Sequence, residues 1–353
     1  MDLLCTNCSA MPAWVTDYPF DNPLNRFPKS AESWAYLIEI THKSRTFTLV
    51  CNSVYLCDFY MVCLLATDPS SVMKPFTNLR HHPLLLAGLI IILALLLFGP
   101  VARLFVDVNG AKVGSALPEL PPSREYPLGT DTVGRDLLAV MVVGTPLTLR
   151  IGLIAGTIGL GLGIVLGFLA GYFGGWVDTL IKGAADVLLT VPGLLFLVVL
   201  ATTIRGAVSV NMMALVVASL AWMWPTRTIR SQVLTLRERQ FVMVARLSGM
   251  SGFEIIVREL IPNLLPYLAA SFVGAVGSAI LATIGLEALG LGPQNEPTLG
   301  MTIYWALYYT SVLRGIWWWW TPPLVVIIAT FVGLFLISLG LDQIANPKLR
   351  SAV

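Results

Sequence analysis

The chain has 353 residues, 56% hydrophobic and 12% charged, with 22 Lys and Arg against 20 Asp and Glu for a formal net charge of +2. A soluble domain carries about a quarter charged residues, so this chain has too few to solvate a globular surface and reads as an integral membrane protein. Such a composition excludes a disordered tail and a disulfide scaffold, and the near-neutral balance offers no electrostatic footprint for nucleic acid.

The charge is unevenly spread. Residues 1–72 hold four basic residues (Arg26, Lys29, Lys43, Arg45) and seven acidic ones, a balance of −3, whereas residues 73–353 balance at +5. All five cysteines (Cys5, Cys8, Cys51, Cys57, Cys63) also fall in the first part. The best apolar run there, 46–67, is interrupted by Asn52 and Asp58, and a mid-helix charge costs roughly 2.5 to 3.5 kcal/mol on insertion scales, so it is not counted as a span. Cys5 and Cys8 have no second CxxC or CxxH to complete a zinc site. Met73, followed by Lys74 and Arg80, has the layout of a short basic lead-in, and the expectation is a native start at Met73 with 1–72 as a poorly ordered extension or a misread start.

Crossing about 30 Å of hydrocarbon takes about 20 helical residues with every backbone group satisfied internally. The charge-free stretches are 83–102, 151–177, 187–204, 206–226, 260–286 and 315–341, which makes six expected spans in an all-α membrane protein. A lead-in with the first span (73–105), an external segment (106–146), a five-helix core (147–341) and a tail (342–353) follow. Lys and Arg stay cytoplasmic near span ends. The loop 227–263 has six arginines (227, 230, 237, 239, 246, 258) against Glu238, Glu254 and Glu259, and is expected inside. Segment 106–146 has an acidic excess of two and is expected outside, with both termini cytoplasmic.

The loop 227–263 reads as two helices, 234–248 and 253–260, around Gly249-Met250-Ser251-Gly252. Glycine ends the first helix because it accepts positive φ. Ser251 and Glu254 have the spacing of a capping box that opens the second, and Pro262 is expected to halt the polar segment. Phe241, Val242, Leu247 and Met250 would form an apolar edge among arginines, a surface that a soluble partner can grip.

The string 239–251, Arg-Gln-Phe-Val-Met-Val-Ala-Arg-Leu-Ser-Gly-Met-Ser, ending in Ile261-Pro262-Asn263, resembles the EAA loop of permease subunits of binding-protein-dependent ABC importers. Further resemblance lies in Tyr126 to Asp136 (YPLGTDTVGRD), Ala170 to Asp178 (AGYFGGWVD), Gly290-Leu291-Gly292 and the final Gly340-Leu341-Asp342 with Asn346-Pro347-Lys348. Together they are similar to the C-type permease of oligopeptide and dipeptide importers, over roughly residues 78–350. The resemblance implies the six-helix type I importer permease fold with a cytoplasmic coupling helix. It also implies a second permease subunit as heterodimer partner, two cytoplasmic ATPase subunits that use ATP and Mg, and an extracellular substrate-binding protein in a prokaryotic cell membrane. This chain would bind no cofactor itself. Arg239, Phe241, Val242, Ala245, Arg246, Leu247, Gly249, Ser251 and Glu254 would form the coupling site. The family's acid aligns with Met243 and its first alanine with Val244, so one expected polar contact is missing.

Other features carry two readings each. Gly159, Gly163, Gly167 and Gly171, preceded by Gly152 and Gly156, form an i, i+4 ridge for close helix packing or for sliding during transport. Asp131, Arg135 and Asp136 read as a salt-bridged outer cap or as a docking point for the binding protein. Trp317 to Trp320, near Tyr304, Trp305, Tyr308 and Tyr309, read as an interfacial belt. Alternatively, Trp317 and Trp318 are a stacking platform, which would favour oligosaccharides such as cello-oligosaccharides over peptides. Asp186 and Glu287 lie near span ends, within expected reach of water, and Pro192 is expected to kink the third span. No GxxxxGK[ST] phosphate loop occurs, so the motor must be borrowed. An ion-coupled secondary transporter would need ionisable groups at the midplane, which six bare spans lack. A membrane enzyme would need a convergent acid, base or metal set, and the three histidines (His42, His81, His82) all precede the first span.

Overall fold

The computed structural model describes residues 36–42, 45–51, 82–204 and 208–345. The chain divides into two compact units, Met1–Ser71 and Val72–Val353. In the first, strands β1 (Tyr36–His42) and β2 (Arg45–Cys51) pair antiparallel, from Tyr36 opposite Cys51 to His42 opposite Arg45. The opening of the apolar run, 46–51, is therefore strand. The rest of that run, the Cys5/Cys8 pair, the lead-in residues Met73, Lys74 and Arg80, and the tail from Asn346 lie outside the described residues.

Among the described residues of the second unit the regular elements are helices, with mostly irregular segments at 103–136, 289–298 and 309–316. Helix α1 (Pro83–Ala102) starts with proline at its first position, where no N–H is needed, and matches the first charge-free stretch. Helix α2 (Leu137–Phe173) begins fourteen residues before the stretch expected for it, because Asp136 Oδ1 accepts from Leu138 N at 3.0 Å and caps the helix there. Arg150 lies on the exposed side of α2, so its charge does not end the helix. What ends it is glycine: Gly174 and Gly175 adopt φ of +68° and +59°, a conformation with little cost only for glycine.

Helices α3 (Gly175–Thr190) and α4 (Gly193–Thr203) meet at 88° across Val191-Pro192. Proline lacks the N–H and pushes the preceding residue into extended backbone, here Val191 at ψ 130°. Helix α5 (Val210–Ala221) is capped by Ser209, and after a break at Trp222 helix α6 (Met223–Arg237) follows. Then come α7 (Gln240–Leu247), α8 (Gly252–Ala288), α9 (Leu299–Tyr308) and α10 (Trp317–Ala345). Pro262 does not halt α8. Its turn Ile256–Leu260 is π-helical, and the wider turn makes room for the ring that follows.

Among the described residues four helices, α1, α2, α8 and α10, are individually long and apolar enough to cross a membrane, and the bent pair α3/α4 makes five if it counts as one span. The stretch 206–226 holds only the twelve residues of α5 before the break, about 18 Å of helix, while 205–207 lie outside the described residues.

Helix α2 is the central post. Its glycines form the ridge expected from their spacing, and each meets one partner on the parallel pair α5/α6. A Cβ on Gly163 would lie 2.6 Å from Pro225 Cβ, on Gly167 3.0 Å from Ile229 Cβ, and on Gly171 2.8 Å from Val233 Cβ. The partners repeat every four residues as the glycines do, so the helices stay in register. Gly152 and Gly156 face Ile280 and Val276 of α8 instead.

Candidate functional site

The arginine-rich arm is built outward from this post. Ile229 and Val233 bury the inner face of α6, and Arg237 Nη1 donates to the carbonyl of Tyr172 at 3.1 Å. The helix expected over 234–248 is broken at Glu238 and Arg239. No glycine or proline marks the break; it lets α7 turn Val242 and Ala245 into a core with Phe168, Ile255, Ile256 and Leu260. Helix α7 closes with two linked bonds, Gly249 N to Arg246 O at 3.0 Å and Met250 N to Ala245 O at 3.2 Å. Together with Gly249 at φ +81° they form a Schellman motif. Ser251 Oγ accepts from Glu254 N at 3.3 Å, and Glu254 pairs with Arg258 at 2.6 Å.

Helical geometry re-sorts the expected apolar edge. Val242 is buried, Phe241 and Met250 are half-buried, and Leu247 alone of the four is exposed, at 79%. It stands with Met243 at 62% and Phe253 at 71%, flanked by exposed Arg239 and Arg246. The Arg246 guanidinium lies 5.5 Å from the Tyr172 ring centroid, a cation–π contact. The site's outer surface is thus apolar at its centre and cationic at its flanks, and Met243, the position expected from the resemblance to hold an acid, is on it.

At the opposite end, Asp131 is buried. Its Oδ1 accepts from Val133 N at 3.0 Å and Arg135 N at 2.8 Å, and its Oδ2 is 3.9 Å from Arg135 Nε. Burial pushes the Asp131 carboxyl above the ordinary range, against the opposing backbone bonds. Asp136 caps α2 and is not paired with Arg135. Glu119, at φ +59°, forms a two-pronged pair with Arg314, one prong 2.6 Å, and accepts from Thr132 Oγ1 at 3.1 Å. The pair ties the segment between α1 and α2 to the approach of α10, and the Arg314 hydrogen bond holds the Glu119 carboxyl below its ordinary range. A lowered carboxylate favours the fold above the ordinary pKa, and that contribution is lost as pH falls through the lowered one; raised Asp131 acts in the opposite sense. The stability difference between wild type and Glu119→Gln, followed by thermal melting, is therefore expected to be full above the ordinary glutamate range, about pH 5, and to shrink steadily as pH falls below it.

The four tryptophans split around α10. Trp319 is fully buried and stacks on Tyr309 at 6.0 Å, the Trp318 indole packs on Gly129, and Trp317 is exposed. The Trp317 and Trp318 rings lie at 84° to each other and offer no common plane. Glu287, expected near water, is fully buried: its Oε1 accepts from Thr298 Oγ1 at 2.8 Å, where Thr298 caps α9, and Leu299 N donates to Thr148 Oγ1 at 3.0 Å. The ten residues before α9 carry it back against α2, a contact between positions 151 apart that no local pattern announces.

A cavity of about 460 Å³ opens between α4, α5, α6 and α8, and its hydroxyls come from Thr228, Tyr267, Ser271 and Ser278. No charged side chain lines it. Sequence reasoning missed it, although Ser271, Gly274, Ala275, Ser278 and Ala282 share one small-residue face of α8. Among the described residues no group of three or more His, Cys, Asp or Glu is placed to hold a metal ion.

Residues 163–351 match the family model for binding-protein-dependent transport system inner membrane components. The oligopeptide transport system permease protein OppC of Mycobacterium tuberculosis H37Rv is 32% identical over 184 residues, 52% of this chain and 63% of that protein, so the match spans less than two thirds of that relative. The dipeptide transport system permease proteins DppC of Alkalihalophilus pseudofirmus and Bacillus subtilis are 30% and 29% identical. They are matched over 81% and 80% of this chain and 92% and 87% of their own lengths.

Proposed function

The chain belongs to the family of binding-protein-dependent transport system inner membrane components, and from that membership we propose that it forms half of the membrane pathway of an ATP-driven peptide importer. Its role is translocation. ATP and Mg are held by two cytoplasmic ATPase subunits, a second permease completes the pathway, and an extracellular binding protein delivers substrate. The observation that carries this reading is the arm: α7 is welded to the core by Val242 and Ala245 while Met243, Leu247 and Phe253 face outward between Arg239 and Arg246. An apolar centre with a polar rim is the anatomy of a protein interface.

Arginine placement supports a cytoplasmic arm, and with it an outer position for Asp131, Arg135 and Asp136 as the docking point of the binding protein. The chain then crosses the cell membrane six times, the fourth crossing made by α5 with the first turns of α6, and both termini are cytoplasmic. The cavity walled by α4, α5, α6 and α8 is this chain's share of the pathway. Peptides are favoured over oligosaccharides by the names of the relatives and by the perpendicular rings of Trp317 and Trp318. Uncharged hydroxyls suit a peptide backbone of any side-chain charge.

The docking role is tested by co-purifying the ATPase subunits with a tagged chain. Leu247→Asp places a charge at the centre of the interface and is expected to lower recovery about ten-fold or more while membrane insertion is unchanged. Undiminished recovery overturns the assignment.

A further inference from the structure

Helix α3 is poorly anchored by packing. Only Ala185 of its sixteen residues is buried, and Trp176, Leu180 and Val187 are exposed. What fixes it to the body is charge. Asp178 and Asp186, two turns apart on one side of α3, face Arg230 and Arg227 of α6. The Asp178–Arg230 pair is two-pronged, with Nη2 to Oδ2 at 2.6 Å, and both side chains are four-fifths buried. Asp186 Oδ1 is 3.7 Å from Arg227 Nη1. A bidentate Arg–carboxylate pair fixes direction as well as distance.

Both ends of α3 are joints. At the start, Gly174 and Gly175 take positive φ in succession, and Arg237 holds the carbonyl of Tyr172 just before them. At the end stands the 88° bend at Val191-Pro192, after which Gly193, Leu194 and Leu197 of α4 line the cavity. Hinges of this kind absorb backbone rotation at a few element-terminal residues. A rigid rod with a joint at each end, clamped through Asp178 in its first turn to the helix that carries α7, is the arrangement of a lever.

We propose that α3 is the transmission between the arm and the α4 wall of the cavity: movement of α6 with α7 is carried chiefly through the two-pronged Asp178–Arg230 pair to α3, and across the bend to α4. This rests on the reading of α7 as the ATPase contact. Asp178 and Arg230 are positioning residues. They touch neither substrate nor nucleotide, and they act because the clamp stays closed while the rod swings. A physical warrant for coupling is an element whose position both sites bias, and α3 is joined to both.

The test uses the complete assembly in proteoliposomes, with ATP hydrolysis and dipeptide uptake measured on the same sample. Arg230→Ala is expected to cut uptake about ten-fold or more while hydrolysis stays within about two-fold, because nucleotide turnover is released from movement of the α4 wall. Asp178→Ala should behave alike. The exchanged pair Asp178→Arg with Arg230→Asp should recover at least about a third of wild-type uptake, the non-additivity of residues acting through each other. Unchanged uptake in the single variants overturns the proposal. So does a joint fall of uptake and hydrolysis, which marks a fold or docking defect, and so does an exchange without recovery. Uptake by the unsubstituted assembly that ignores ATP would instead overturn the importer reading, and the lever with it.

Discussion

Replacing Gly249 with valine is expected to lower transport about ten-fold or more while the chain still inserts and folds. The residue is the αL member of the Schellman motif that closes α7, at φ +81°, with Gly249 N bonded to Arg246 O and Met250 N to Ala245 O. A side chain in this conformation costs about 1–2 kcal/mol, more when β-branched, and the backbone relieves it by leaving the conformation. A Cβ here would meet nothing within 4 Å, so no clash contributes and the effect falls on the angle between α7 and α8. That angle aims Met243, Leu247 and Phe253 as one surface. Gly249→Asn, which tolerates αL, should keep most of the activity. Uptake of labelled peptide separates the two variants, and equal loss or equal retention contradicts the account.

The second large effect is structural. On Gly156 of α2 a Cβ would lie 2.8 Å from Val276 Cγ2 and 2.9 Å from Val276 Cα and N, and backbone atoms cannot swing aside. Gly156→Leu therefore separates α2 from α8, and overpacking of this kind costs about 1–3 kcal/mol or more. A drop of about 5 °C or more in the melting temperature of the purified protein is expected. Gly161, five residues on in the same helix, meets nothing within 4 Å, and Gly161→Leu should leave the melting temperature within about 1 °C. The composition change is the same in both. Matching shifts would show that the ridge is not a packing seam.

These contrasts mark where the sequence was readable. The i, i+4 glycines, Ser251 with Glu254, the stop at Gly249 and the bend at Pro192 are local devices, and local pattern found them. Counting charges to bound spans worked for α1 and failed for α2, because Arg150 lies on an exposed side and Asp136 caps the helix fourteen residues upstream. The break at Glu238 and Arg239 has no turn residue; only the core that receives Val242 and Ala245 requires it. Burial of Glu287 beneath Thr298, and the cavity, are products of distant segments meeting. Their components are visible in the chain, but their meeting is tertiary. The split of four consecutive tryptophans between core and surface follows from 100° per residue once α10 is placed, and no composition argument reveals which of them is buried.

The central claim is that this chain passes peptides under the drive of a borrowed ATPase acting at α7. It is tested most directly by uptake of a labelled dipeptide into cells or proteoliposomes carrying the complete assembly, with internal ATP and the ion gradient removed separately. The account predicts that uptake collapses on ATP depletion and persists when an uncoupler dissipates the gradient while ATP is held constant. Uptake that follows the gradient and survives loss of ATP would contradict it.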